Sequence, residues 1–472
     1  MSAAATVLVV STECPTCGAP LHFDEGSSAV RCDHCGSSLL VTGRRRVLSY
    51  FVRPRVPGDE ARALAHFSRR SGESSEARLG EPLLCFVPYY RLTATELRWQ
   101  HPAAADAERE RLRDAERDWS FLDRRMASFE RVALGEAGPS APPRSLRRRC
   151  VEFAGRRIER NLRASAGAIG APSLGVRASV VRLELHRADA LPEGSVVCPV
   201  DLPADEALRI GSEPMDEDGL VRRAVVGRLL SLVHFPLWVL PSAASAGPRV
   251  VTVDGVSGAV TEHATASGEL DRLCARGAHE PRATVGFRPL ACPNCAWDLP
   301  VEPSDVVFQC PGCDRAWLID GEELVPQPVA IAAPPAGARA TFDYRPFWDL
   351  PRDPTGGAGV ARCLVPAFRH PNLKRLNDLA VRLSRRAGAV TPVEGPGRDL
   401  RGCAIDAADA AAIACFLAAG ETPDGNPLLG PPKSAPAYTS DGAQLLWLPF
   451  VREAYGWREP ITGTALPPEL AA

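Results

Sequence analysis

Eight cysteines of this 472-residue chain form two sets with the same spacing, C-x2-C-x14-C-x2-C. The first set is Cys14, Cys17, Cys32 and Cys35, and the second is Cys292, Cys295, Cys310 and Cys313. Two thiolates separated by two residues can bind one metal ion from a single tight turn, and a second such turn completes a tetrahedral shell of four sulfurs. Zinc prefers this shell in structural sites, so the sequence predicts two structural zinc ions. The spacing alone does not distinguish zinc from iron.

The other use of a C-x2-C pair is thiol–disulfide exchange, which a single pair can perform. Two partnered pairs in each set favour a structural metal over redox chemistry. The remaining seven of the 15 cysteines lie among apolar neighbours, as small core residues do. The odd total and the metal-type spacing predict a reducing, cytoplasmic location rather than a disulfide scaffold.

The composition is that of an ordinary globular protein, with 45% hydrophobic residues, 24% charged residues and a formal net charge of −2. Such a charge provides no overall field that would attract DNA or an acidic membrane. The N-terminal residues lack the basic segment of a signal peptide. The most apolar run, residues 229–244, contains two prolines and is too short for a bilayer span, so no transmembrane segment is expected.

Short phrases outside the cysteine sets recur and predict duplicated helix–strand–hairpin units. Residues 56–64 and 202–210 share the pattern Pro-x-Asp-Glu-Ala, which begins a helix. Strands with an internal proline follow at Pro88 and Pro236, and a looser third copy reaches Pro449. Because proline cannot donate to a strand ladder, we expect each of these prolines at a strand edge or bulge rather than in a central strand.

The predicted fold class is α+β or α/β and multidomain. Two small zinc ribbons are each followed by an α/β domain of duplicated helix–strand–hairpin units, and one long heptad-patterned helix is added. The predicted boundaries are zinc ribbon 1 at 11–43, an α/β domain at 44–265 with a helical arm at about 104–134, zinc ribbon 2 at 286–325, and a second α/β domain at 340–472.

The predicted long helix spans residues 106–133, where apolar residues step by three and four as in a heptad seam. The candidate interface residues are Leu112, Trp119, Leu122, Met126 and Phe129. Packing on its own domain is one use of this seam. A homodimer contact or a groove for a partner is the other, and the pattern leaves both open.

Arginines cluster between residues 144 and 163 and are the candidate contacts for nucleic acid or a partner. The residues singled out are Arg144, Arg147, Arg148, Arg149, Arg156 and Arg157. A second basic group lies on a predicted helix that begins near Asn372. Such clusters can neutralise phosphates and would make binding strongly salt-dependent. The alternative is a solvated basic face in a slightly acidic protein.

Enzyme signatures are missing from the sequence. The two lysines, Lys374 and Lys433, are not in a Walker A context, and no H-E-x-x-H motif occurs. Residues 171–175 lack the first glycine of a nucleophile elbow. The sequence therefore predicts a protein that is not an enzyme.

The phrases Cys14-Pro-Thr-Cys-Gly and Cys32-Asp-His-Cys-Gly resemble rubredoxin-type zinc ribbons. Together with the proline-containing strand phrases, they are similar to a group of uncharacterised bacterial zinc-ribbon proteins. The resemblance implies zinc binding and little more. The expected function is a zinc-binding scaffold or adaptor that mediates protein–protein interaction. The alternative is a nucleic-acid-binding zinc-ribbon protein that uses the Arg144–Arg163 cluster.

Overall fold

A computed structural model shows a mixed α+β protein that is mostly β-sheet, with four α-helices in the residues it describes. Among the described helices, none combines the length and apolar character needed to cross a membrane. The predicted heptad helix, residues 106–133, lies outside the described residues, and the predicted domain boundaries stay predictions. The described residues are 8–43, 47–70, 79–100, 152–166, 182–187, 190–214, 220–244, 247–264, 285–334, 341–354, 360–370, 372–393, 400, 402–419, 437–454 and 456–467.

The N-terminal part contains the first cysteine set and the largest sheet. Its elements are β1 (Val9–Glu13), β2 (Pro20–Asp24), β3 (Ala29–Arg31), β4 (Ser38–Thr42), β5 (Leu48–Val52), α1 (Gly58–Arg70), β6 (Leu83–Gln100), β7 (Glu152–Arg163), β8 (Arg182–Leu185), β9 (Val196–Val197), α2 (Ala204–Ser212), β10 (Leu220–Ala244), β11 (Gly247–Asp254) and β12 (Val260–Ala264).

The C-terminal part contains the second cysteine set and a smaller sheet. Its elements are β13 (Gly286–Pro289), β14 (Val307–Gln309), β15 (Ala316–Asp320), β16 (Glu323–Gln327), β17 (Ala330–Ala332), β18 (Phe342–Pro351), β19 (Arg362–Pro366), α3 (Leu373–Arg385), a short 3-10 helix (Ala387–Ala389), β20 (Pro392–Val393), α4 (Ala407–Ala419), β21 (Gln444–Glu453), β22 (Gly456–Arg458) and β23 (Ala465–Leu466).

The described strands form sheets of ten, seven, three and three strands. The ten-stranded sheet has the order β12-β11-β10-β5-β8-β1-β2, and β6 pairs with β10, β7 and β9. The seven-stranded sheet has the order β19-β18-β21-β17-β20, with β22 and β23 continuing from β21. The two three-stranded sheets, β13-β4-β3 and β14-β15-β16, carry parts of the two cysteine ribbons.

The strand prolines lie inside long central strands, which differs from the edge or bulge positions expected from the sequence. Pro88 of β6 lies between the end of the β9 pairing and the start of the β7 pairing. Pro236 of β10 lies between the end of the β5 pairing and the start of the β11 pairing. The carbonyls of both prolines accept bonds at these junctions, from Ala164 and Gly255 respectively. The missing amide hydrogen therefore falls where one neighbouring strand has ended and the next has not begun.

Two tight turns that end the sheets are built in the same way. The buried carboxylate of Asp254 accepts the amides of Val256 and Ser257 at 2.8 and 2.9 Å. The buried carboxylate of Glu459 accepts the amides of the two corresponding residues at 2.6 and 2.8 Å. Gly258 and Gly463 occupy matching left-handed positions, with φ of 73° and 70°. The turn before β12 and the turn before β23 thus share one backbone geometry.

Helix α4 joins the two large sheets into one core. Its sequence is apolar on nearly every side, and one side, with Ala410, Ala414, Phe416 and Leu417, is buried while Ala408 and Ala412 are exposed. Trp99, near the end of β6, stacks on Phe416 of this helix with ring centroids 5.9 Å apart, and its indole nitrogen donates to the Phe416 carbonyl. Asp409 in the first turn accepts the amide of Gly227 on β10 at 2.8 Å. The far ends of β6 and β10 are therefore covered by the C-terminal part of the chain.

A buried ion pair links the turn after β2 of the first ribbon to the central strands of the ten-stranded sheet, of which β1 and β2 are also part. Glu25, in the turn between β2 and β3, accepts hydrogen bonds from Arg91 of β6 and from Ser231 of β10. The Glu25 and Arg91 side chains are 2% and 5% exposed, and Arg91 also pairs with Glu159 of β7. Burial raises the pKa of Glu25, against the opposing effect of the Arg91 charge. The ribbon turn thus depends on a charge partner supplied by the sheet.

We expect Glu25→Ala to lower the free energy of unfolding by about 3 kcal/mol, because Arg91 stays buried and loses the buried carboxylate of Glu25. Urea denaturation of the full chain measures this effect. Asp24→Ala is the matched control, since Asp24 is the exposed neighbour on the same turn. Equal losses for the two variants would contradict the assignment.

Candidate metal centres

All four C-x2-C pairs form the same tight turn. In the first ribbon, Gly18 and Gly36 donate their amides to the carbonyls of Cys14 and Cys32, each at 2.8 Å. In the second, Ala296 and Asp314 donate to the carbonyls of Cys292 and Cys310 at 2.8 and 2.9 Å. The leading cysteine of each pair donates its own amide to the carbonyl five residues later. Four identical turns place two sulfurs each at the tips of the ribbons.

The turns meet in pairs, and each meeting brings four sulfurs together. The Sγ atoms of Cys14 and Cys35 are 3.9 Å apart, and those of Cys17 and Cys32 are 3.8 Å apart. In the second ribbon the corresponding cross-pair distances are 3.6 and 3.4 Å. Metal–sulfur bonds of about 2.3 Å in a tetrahedron correspond to sulfur separations of about 3.8 Å. Each group can therefore hold one metal ion, as the cysteine spacing predicts.

The two groups are closed sites. Each contains four cysteine sulfurs within 4.8 Å of one another, and no further group of three or more metal-binding side chains occurs among the described residues. His22, beside the first group, bonds instead to the Ser11 hydroxyl at 3.0 Å. Four sulfurs complete a tetrahedral shell and leave no open position for a substrate, which is typical of structural sites.

Hydrogen bonding lowers the pKa of one cysteine thiol, and burial raises the pKa of another. A hydrogen bond with the Ser37 hydroxyl at 3.1 Å, supported by the Ser37 amide, lowers the pKa of Cys35 to about 6. Burial raises the pKa of Cys310 to about 12. A thiol must lose its proton to bind a metal. The Ser37 side chain therefore favours the thiolate form of Cys35 in the first ribbon.

The two ribbons are joined directly, which the sequence did not indicate. Strand β4 of the first ribbon pairs with β13, which leads into the second. The backbone amide of Ser28 donates to the Pro303 carbonyl at 2.7 Å, and its hydroxyl donates to the carbonyls of Pro303 and Asp305. One apolar cluster is shared by both ribbons, and its buried members are Ala29, Leu40, Leu290, Cys292, Leu299, Phe308, Cys310 and Trp317. The two metal centres therefore belong to a single folded junction.

The predicted basic contacts have different surroundings. Arg156 is engaged with the buried carboxylate of Glu96, whereas Arg157 is exposed on the opposite face of β7. Arg160 donates to the Ile210 carbonyl at the end of α2. The other predicted contacts, Arg144, Arg147, Arg148 and Arg149, and the predicted interface residues Leu112, Trp119, Leu122, Met126 and Phe129 lie outside the described residues.

The two tryptophans near the second cysteine set differ in solvent exposure. Trp317 is buried in the shared cluster at 5% exposure, and Trp297 is 61% exposed. Both are adjacent to metal-binding cysteines in the sequence, so position along the chain could not separate them. Only the packing of the ribbons shows which of them is on the surface.

Comparisons of the chain with protein-family models, with curated proteins and with solved structures found no match. The resemblance to bacterial zinc-ribbon proteins therefore stays an expectation carried by the cysteine motifs.

We expect the purified protein to contain about two metal ions per chain, and Cys310→Ser to contain about one, because each ion needs all four sulfurs. Elemental analysis of protein prepared without chelator measures this. Cys415→Ser is the control, since Cys415 bonds to the Tyr438 backbone and belongs to neither group. Unchanged metal content in Cys310→Ser would contradict the second centre.

The lowered pKa of Cys35 predicts a pH dependence for the first centre. Because the thiolate is favoured in the folded state, this contribution is present above the ordinary thiol pKa and is lost as the pH falls through about 6. We expect Ser37→Ala to release one of the two ions at a pH about half to one unit higher than the native protein does. A metal-sensitive dye followed during acid titration measures the release.

The second ribbon is the internal control for this titration, because Arg315 stands at the position equivalent to Ser37. Its ion should leave at the same pH in both proteins. Identical release of both ions from the native protein and the variant would show that Ser37 has no such role.

Proposed function

We propose that this protein is a non-enzymatic scaffold or adaptor that binds two structural zinc ions and presents a surface to a protein partner. The observation that carries the proposal is the joining of the two cysteine ribbons by the β4–β13 pairing and a shared apolar cluster. A metal ion on each side of this junction would hold it rigid. Zinc is proposed over iron because it has no redox chemistry of its own and prefers four-sulfur structural sites.

The absence of an open ligand position at the four-sulfur centres supports a structural use of the metal over a catalytic one. A reducing, cytoplasmic location suits such a protein, because the cysteine ligands must remain thiolates. The buried Glu25–Arg91 pair supports the same view, since it ties the first ribbon to the sheet that α4 covers. On this proposal, the zinc ribbons and the sheets form one rigid frame.

We also propose that the two α/β parts are copies of one unit. The paired strands β6 and β10 correspond to β18 and β21, with an internal proline in each. Pro346 of β18 resembles Pro88 in one respect, because its carbonyl accepts the Ala367 amide just before the β19 pairing begins, as the Pro88 carbonyl accepts the Ala164 amide just before the β7 pairing begins. The matching turns at Asp254 and Glu459 support the same correspondence.

Nucleic-acid binding through the Arg144–Arg163 cluster is the weaker proposal. Arg156 is paired with Glu96, and Arg160 bonds to the carbonyl end of α2, so both have partners within the fold. The ribbons are themselves acidic. Residues 11–43 contain four acidic residues and one arginine, and residues 286–325 contain seven acidic residues and two arginines. Such surfaces repel phosphates.

Capture from a lysate of the native host, treated with nuclease, tests the proposal. We expect the tagged full chain to retain a protein partner in near-equal amount, and Cys310→Ser to retain several-fold less, because the junction loses its second ion. Cys415→Ser is the control and should behave as the native protein. Elemental analysis should identify the bound metal as zinc.

Two outcomes would contradict the scaffold proposal. One is the absence of any protein retained in near-equal amount by the native chain. The other is the recovery of DNA or RNA in samples without nuclease, if it is released by moderate salt and lost in a variant with Arg147, Arg148 and Arg149 changed to Glu. That outcome would support the nucleic-acid alternative.

A further inference from the structure

The two ribbons share one backbone geometry but present different surfaces at four equivalent positions. These positions follow the second cysteine of each pair, where the same backbone hydrogen bonds are made in both ribbons. The equivalent residues of the first and second ribbon are Gly18 and Ala296, Ala19 and Trp297, Gly36 and Asp314, and Ser37 and Arg315. Each turn of the first ribbon folds with small residues. The larger side chains of the second ribbon are therefore not required by the turn.

Two of the larger residues occupy positions that disfavour them. Gly18 and Gly36 have φ of 72° and 74°, in the left-handed region that glycine enters freely. Ala296 and Asp314 have φ of 59° and 58° in the same region, where the Cβ of alanine is unfavourable and aspartate is better tolerated. Local strain that a protein retains at an exposed turn is a reason to look for a function there.

Trp297 is held in place at the surface. It is 61% exposed, whereas its counterpart Ala19 is a small, half-buried residue. Gly312, on the facing turn, has no side chain, and a Cβ there would come within 3.3 Å of the Trp297 Cβ. Both turns of the second ribbon therefore contribute to the position of the indole ring. Tryptophan exposed in this way is enriched at the centres of protein interfaces.

The charge around Trp297 points to the kind of partner. Asp298 is exposed beside it, and the facing turn carries the half-buried Asp314 together with the exposed Arg315. The whole second ribbon contains seven acidic residues against two arginines, and a metal ion with four thiolates adds further negative charge. Phosphates would be repelled by this surface, and arginine or lysine side chains would be attracted. A guanidinium or ammonium group can also stack on an indole ring.

We propose that the Trp297 face, defined as Ala296, Trp297, Asp298 and Asp314, binds a basic segment of a partner protein, with an arginine or lysine side chain stacked on Trp297. The proposal rests on the scaffold function and names the surface that contacts the partner. The first ribbon, whose equivalent turns carry small residues, serves the frame alone.

A fluorescein-labelled peptide of alternating arginine and glycine is the probe, and fluorescence anisotropy with the full chain measures its affinity. We expect Trp297→Ala to weaken binding on the order of fivefold, since an exposed cation–π contact is lost. A triple variant, Ala296→Gly with Trp297→Ala and Asp314→Gly, should weaken it about tenfold, because a negative charge is removed as well.

The triple variant installs residues that the first ribbon already uses, so it should keep its metal and unfold no more readily than the native chain. Metal content and thermal unfolding check this. Phe67→Ala is the matched control, because Phe67 is 77% exposed on α1 and belongs to another surface. It should bind the peptide as the native protein does.

Three results would overturn the inference. The native chain does not bind the peptide, or Trp297→Ala binds it equally well, or a single-stranded oligonucleotide binds the native chain and loses affinity in Trp297→Ala. Failure of the scaffold proposal is distinguishable in the lysate capture. A partner retained equally by the native chain and Trp297→Ala would refute this surface and leave the scaffold proposal standing.

Discussion

Each cysteine ribbon is too small to bury a core of its own, and the arrangement of the protein follows from that constraint. The ribbon strands are three to five residues long, so few apolar side chains are available within one ribbon. The first ribbon buries most of its apolar side chains, such as Leu21, Phe23 and Leu39, in the core of the ten-stranded sheet. The second ribbon packs against the first through the β4–β13 pairing and their shared cluster. A metal ion in each group of four sulfurs would add the rest of the stabilisation. Neither ribbon is an independent appendage.

The long central pair of β6 and β10 provides the support to which the ribbon junction is attached. The middle of the pair supplies Arg91 and Ser231 to the buried Glu25, and one end, at Trp99, packs against α4. A strand of this length meets several neighbours in succession. Prolines fit where one neighbour ends and the next begins, because the backbone there has no partner for an amide hydrogen. At Pro346 of β18 the proline likewise lies just before the pairing with a neighbouring strand, β19, begins.

The cysteine turns of the two ribbons have the same backbone and different side chains. Comparing them shows which residues the fold requires and which it only tolerates. Glycine at a left-handed position satisfies the turn without strain, whereas alanine there is unfavourable and aspartate is tolerated. The second ribbon therefore keeps its fold despite Ala296 and Asp314, and the first ribbon needs no such tolerance. A surface that departs from the requirements of its own turn is the natural place to look for a contact with another molecule.

The sequence by itself determined the ligand groups, because two cysteines three positions apart in a tight turn meet the same metal ion wherever the turn lies. Tertiary structure alone decided the pairing of β4 with β13, the burial of Glu25 and the choice between Trp297 and Trp317 for the surface. These depend on contacts between distant segments, which local spacing does not encode. The prolines are a further example. The sequence shows that a proline has no amide hydrogen to donate, but it does not show which strands will lie beside it.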